Sequence, residues 1–150
     1  MIFNFDEYIL TILYKSGWCP TRYININNDI KLLNDNGFYP SQLIQQFLHN
    51  FINLTIIHNH AKVKTVMDYF HFSINTAINS GDITWVSEQY SEQCNTSLCI
   101  IGEAYRRQLI LCMSDVGEIY AGIDDSLYIV GLTIESAITT LINGYDLIEL

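Results

Sequence analysis

The sequence predicts an α+β fold with a largely antiparallel sheet, and three features point to it. Helical periodicity dominates the first fifty residues, short β-branched runs fill the middle, and one amphipathic helical stretch lies near the end. The clearest sheet signal is a hairpin, with Gln108-Leu109-Ile110-Leu111-Cys112-Met113 and Glu118-Ile119-Tyr120-Ala121-Gly122-Ile123 flanking the turn Ser114-Asp115-Val116-Gly117. With 150 residues, 49% of them hydrophobic, the chain has the size of one domain and apolar material for one core. No internal repeat, low-complexity tract or linker divides it, so a single domain over residues 1–150 is expected.

The elements follow in order. Asn4 with Glu7 makes a capping box for a first helix over about residues 5–15, whose Phe5, Ile9, Ile12 and Leu13 recur at helical spacing until Gly17. A second, shorter helix fits Asn28 to Asn36 and is closed by Gly37. Pro40-Ser41 starts a third, with Leu43, Ile44, Phe47, Leu48 and Phe51 forming one broad apolar stripe. Two strands are expected next, Leu54 to His58 and another within Val63 to Ile74. Asp82 to Gln93 reads as an acidic helix, Ile83, Val86 and Tyr90 inward and Glu88 and Glu92 outward. Leu98 to Ile101 forms a short buried strand ending at Gly102, the hairpin follows, and Leu127 to Val130 adds a strand. Thr133 caps a last helix carrying Ile134, Ala137, Ile138, Leu141 and Ile142 on one face, ended by Asn143-Gly144.

Charge divides the chain unevenly. Overall it carries −9 at pH 7, which argues against direct nucleic-acid binding, because that depends on cations displacing the counterions of phosphates. Residues 1–64 hold Lys15, Arg22, Lys31, Lys62 and Lys64 against Asp6, Glu7, Asp29 and Asp35, a net of +1. Residues 65–150 therefore carry −10, with Arg106 and Arg107 as their only cations. Such a segment serves as a solvated surface or attracts a basic protein. No apolar run reaches the roughly 18 residues that span a bilayer, and Met1-Ile2-Phe3-Asn4-Phe5-Asp6-Glu7 lacks the basic region of an export signal, so no membrane contact and a cytoplasmic location are expected.

The chemistry-bearing residues form no strong signature. Cys19, Cys94, Cys99 and Cys112 are too sparse for a disulfide scaffold, and reduced thiols are expected. Gly17-Trp18-Cys19-Pro20 lacks the resolving thiol of a redox centre, since Arg22 stands in its place. Cys94 and Cys99 have no second pair for structural zinc, and His58 and His60, two apart, have no obvious third ligand. No nucleophile elbow, dinucleotide turn or phosphate loop occurs, and Asp124-Asp125 reads as a solvated turn. No cofactor and no catalysis are expected. A small hydrolase or metal enzyme would rest on His58, His60 and Asp124 alone. Ten tyrosines supply rigid amphipathic contact area as well as core.

Several stretches, taken in order, carry a resemblance: Gly17-Trp18-Cys19-Pro20-Thr21-Arg22, Gly37-Phe38, Phe47-Leu48-His49-Asn50-Phe51 and Ile101-Gly102-Glu103-Ala104-Tyr105-Arg106. They continue through Asp115-Val116-Gly117-Glu118-Ile119-Tyr120, Asp124-Asp125, Gly131 and Glu135-Ser136-Ala137-Ile138. Together they resemble the SUKH superfamily of bacterial immunity proteins, and within it the third SUKH immunity family. Asn50, Ile52, Asn53 and Ile100 depart from that pattern. The resemblance implies a SUKH-like central sheet flanked by helices, and a non-catalytic immunity protein that neutralises a polymorphic toxin encoded beside it, often a nuclease.

On that reading the partner is a cognate, basic toxin bound by a monomer, since opposite charge raises association rates. Glu88, Glu92, Asp115, Glu118, Asp124 and Asp125 are the interface candidates, being acidic, expected at exposed positions and within the charged half. Gly17, Trp18, Arg22, Gly102 and Gly117 are assigned to structure, Trp18 to the core and the glycines to turns. An intracellular adaptor or scaffold binding a housekeeping partner is the alternative, implied by a related branch of the superfamily.

Overall fold

A computed structural model describes residues 2–150; Met1, the first residue of the N-terminal stretch considered above, lies outside it. The fold is α+β, a seven-stranded antiparallel sheet with helices packed on it. The helices are α1 (Glu7–Lys15), α2 (Asn27–Asp35), α3 (Gln42–Phe51), α4 (Ile74–Asn79), α5 (Ser91–Cys94) and α6 (Ile134–Asn143). The strands are β1 (Thr55–Asn59), β2 (Met67–His71), β3 (Leu98–Ala104), β4 (Leu109–Ser114), β5 (Ile119–Ile123), β6 (Ser126–Gly131) and β7 (Ile148–Glu149). They lie in the sheet in chain order, each antiparallel to the last, with α4 and α5 in the connection from β2 to β3 and α6 in that from β6 to β7.

Local chemistry explains most boundaries. Ser41 Oγ accepts the Ile44 N–H at 3.3 Å and starts α3. At α6 the Thr133 hydroxyl accepts the Ser136 N–H while Ser136 Oγ accepts the Thr133 N–H, both at 3.1 Å, a reciprocal cap with Ser in the usual place of Glu. Helix α1 corrects the expectation of an Asn4 cap: Asp6 Oδ1 accepts the Ile9 N–H at 2.9 Å, and the helix starts at Glu7, two residues later than expected. Ile74 begins α4 rather than ending a strand, because Ser73 caps it through the Thr76 N–H. The acidic helix contains a π-helical stretch, Val86–Tyr90, before α5.

Strand β3 also departs from expectation. It does not end at Gly102 but runs on to Ala104, with all seven residues buried and a register shift between Ile100 and Gly102. Gly102 is therefore no turn residue. It stands where β2 crosses close, and a Cβ there would overlap the His71 carbonyl oxygen and meet Phe72 Cα at 3.0 Å. His71↔Glu103 is the one register pair joining β2 to β3.

Both sheet faces are covered, by different helices. Tyr90 lies so close over Gly122 that a Cβ there would overlap its ring, which puts the Val86–Cys94 helix on that face. Gly131, paired with Ile119, meets Ala137 of α6. Ile119 and Gly122 point to opposite faces because side chains alternate along a strand. Around α3, Phe47 and Phe51 pack on Phe72, which packs on Phe70, while Trp18 stacks on Phe51 at 5.6 Å. Each fully buried side chain of this size contributes about 1.5–3 kcal/mol, so the aromatic cluster is a large part of the core.

Candidate functional site

The Val86–Cys94 helix and the turn between β5 and β6 are fastened together by side chains donating to turn carbonyls. Tyr90 Oη donates to the Asp124 carbonyl at 2.6 Å, and Gln93 Nε2 donates to the Asp125 carbonyl at 3.0 Å. Burial, then Cys112, Asp124 and Asp125, raise the Tyr90 phenol well above its ordinary pKa. Asp124 has φ 49°, a left-handed conformation that Asp and Asn tolerate best among residues with a Cβ. The fastening brings the exposed Asp124 and Asp125 to the helix that carries the exposed Glu88 and Glu92.

Asp115, exposed in the β4–β5 turn, lies along another side of the same helix, where it shares a recess with Ser87 and Ser91. Glu118 does not belong to this surface. It is half-buried, accepting from Tyr120 Oη at 2.9 Å and Ser114 Oγ at 3.3 Å, because residues two apart on a strand share a face. Burial and then Glu118 push the Tyr120 phenol up to about 12. Five of the six candidate carboxylates thus surround one helix, and the sixth is internal to the hairpin.

The cations of the C-terminal half are both paired, although Arg107 also lines a recess with Tyr90 and Asp124. Arg106 donates to the Met67 carbonyl and lies 3.9 Å from Asp68, and Arg107 Nε donates to Glu103 Oε1 at 3.1 Å. Glu103, 1% exposed, also accepts from Ser80 Oγ at 2.5 Å and His71 Nε2 at 2.8 Å. The Ser73 N–H donates to His71 Nδ1 at 3.0 Å, which leaves Nε2 as the protonated nitrogen. This buried network clamps β2, β3 and the segment after α4 together. It is absent from the residues singled out by charge; its signal was a lone Glu inside an otherwise apolar strand.

The residues assigned to structure occupy distinct places. Trp18 is 3% exposed. Arg22 donates to the carbonyls of Asn50 at 2.8 Å and Ile52 at 2.6 Å, satisfying oxygens at the end of α3. Gly17 and Gly117 hold φ of 98° and 94°, which residues with a Cβ resist. His60 falls beyond β1, and its Nδ1 accepts the N–H groups of Lys62 and Val63, both at 3.1 Å. His58 and His60 line one recess with Asp68, yet among the described residues no three His, Cys, Asp or Glu side chains are grouped to hold a metal. All four cysteines are free thiols, and burial pushes Cys99 up to about 12. No helix among the described residues is long and apolar enough to cross a membrane.

Fold and surface together define a class: an antiparallel meander faced by helices, with an acidic helix-and-turn end beside which Arg107 shares a recess with Asp124 while pairing with Glu103. The chain belongs to the SUKH-3 immunity protein family, whose model matches residues 5–144. Comparisons with curated proteins and with solved structures give no significant match.

Proposed function

We propose that this protein is a non-catalytic immunity protein that binds a cognate polymorphic toxin, a basic nuclease, and neutralises it by protein–protein contact. The supporting observation is the membership of residues 5–144 in an immunity family, together with an acidic end whose nearest arginines are committed to Met67, Asp68 and Glu103. In this reading the chain acts in the cytoplasm as a monomer and needs no cofactor. Glu88, Glu92, Asp124 and Asp125 form the steering surface, with Asp115 on its margin. A groove that binds nucleic acid is positive, so an acidic surface meets it with complementary potential and accelerates encounter.

Co-expression with the toxin gene adjacent to its own tests the function. Cells carrying both genes are expected to grow, and the toxin to co-purify with the tagged protein at a fixed ratio. Growth arrest despite full expression, with no co-purification, would reject the reading.

A further inference from the structure

We propose that an apolar shelf at the Ile123 end of the sheet anchors the toxin through an apolar segment flanked by Lys or Arg; this rests on the function proposed above and names the chemistry of contact. The shelf is a depression of about 390 Å³ lined by Leu109, Ile123, Tyr128 and Leu147 with Tyr105 and Asp146. Leu111 pairs with Ala121 and Ala121 with Tyr128, so with alternation Leu109, Ile123 and Tyr128 share one face. That face is the one α6 covers at Gly131. Ile123 lies at the opposite end of β5, and α6 leaves it 40% exposed.

The rim selects the occupant. Asp124 and Asp125 follow Ile123 directly and Asp146 lines the shelf, while Arg106 and Arg107, which follow Tyr105, do not line it and are paired with Asp68 and Glu103. The Tyr105 phenol is raised by burial and then by the carboxylates of Asp68 and Asp146, which marks the same end as electronegative. A second copy of this chain, itself at −9, would bring like charge against like, and an anionic bilayer would do the same. A basic protein segment with apolar side chains meets both the floor and the rim. Tyr105, Arg106 and Arg107 hold consecutive left-handed φ values of 52°, 55° and 70° beside the shelf, and such clusters of rare conformation occur where function constrains the backbone.

An apolar anchor and a charged rim leave different kinetic signatures, since buried contacts set dissociation and rim charges set encounter. The test is binding kinetics of the purified adjacent-gene toxin to wild type and to Ile123→Ser/Tyr128→Ser. The double variant is expected to dissociate about 30-fold faster or more, the size of a hot-spot loss, with association nearly unchanged. If it melts lower, Ile123→Lys, at a position already exposed, decides instead, and Ile123→Val should retain wild-type dissociation. Wild-type dissociation from the shelf variants, with binding intact, would overturn the shelf and leave the proposed function standing. No binding by wild type would overturn both. Self-association of wild type that the shelf variants abolish would assign the shelf to a second copy and overturn the proposal.

Discussion

Gly102→Ala is expected to lose about 3 kcal/mol or more of folding stability, at or beyond the upper end of ordinary overpacking. The new Cβ would overlap the His71 carbonyl oxygen and lie 2.9 Å from the His71 carbonyl carbon, and backbone cannot rotate away as a side-chain tip can. The insult falls at the weakest seam of the sheet. His71↔Glu103 is the sole register pair between β2 and β3, and the same two residues hold the buried bond of 2.8 Å at the centre of the clamp. Separating the strands to admit a methyl group would also draw His71 from Glu103, leaving a buried carboxylate short of a donor. Urea unfolding monitored by circular dichroism measures the loss; a variant within 1 kcal/mol of wild type, taken as a difference too small for a backbone clash, would show that the seam opens freely.

Trp18→Ala is expected to cost about 3–5 kcal/mol, the range for emptying a large aromatic site. The indole stacks on Phe51 with rings 11° from parallel and on Tyr14 at 6.0 Å, and it meets Phe5 edge-on at 5.8 Å. Removing it opens a cavity between α1 and α3 where four other rings converge. The indole Nε1 is buried with no hydrogen-bond partner among the described residues, so Trp18→Phe discards an unsatisfied donor along with the bulk. That variant is expected to cost less than half as much as alanine. Equal losses for the two substitutions, or an alanine variant as stable as wild type, would contradict the placement of Trp18 in the aromatic core.

Features decided by neighbours in sequence were legible, and features decided by neighbours in space were not. Ser41 and Thr133 marked helix starts because a cap acts on an N–H three residues away, and the β4–β5 turn was visible in Ser114 to Gly117. Asn4 meets the capping-box spacing with Glu7, yet Asp6 holds the Ile9 N–H and starts the helix, which that spacing did not show. Ser73 offered an equally local signal for α4, but it was hidden by the β-branched and aromatic composition around it. Gly102 read as a stop because a glycine in a strand signals either an end or a close approach, and only the position of β2 distinguishes them. β7 is two residues long, too short for periodicity. At the surface, the turn position that exposes Asp115 did not show that Tyr120 reaches Glu118 at the end of the same turn. The shelf was invisible for the same reason, since its residues come from β4, β5, β6 and the two connections beside them.

The direct test of the acidic end as the steering surface is the rate of toxin association, followed by stopped flow at low and physiological salt. The variant to compare is Glu88→Gln/Glu92→Gln/Asp124→Asn/Asp125→Asn, which leaves Glu118 in its internal bonds and places Asn at a left-handed position it tolerates. At low salt wild type is expected to associate about tenfold faster than the variant or more. At physiological salt, where the screening length is about 8 Å, the two rates should converge as wild type slows and the variant changes little. Equal rates at both salt concentrations, in a variant as stable as wild type, would contradict electrostatic steering by this surface.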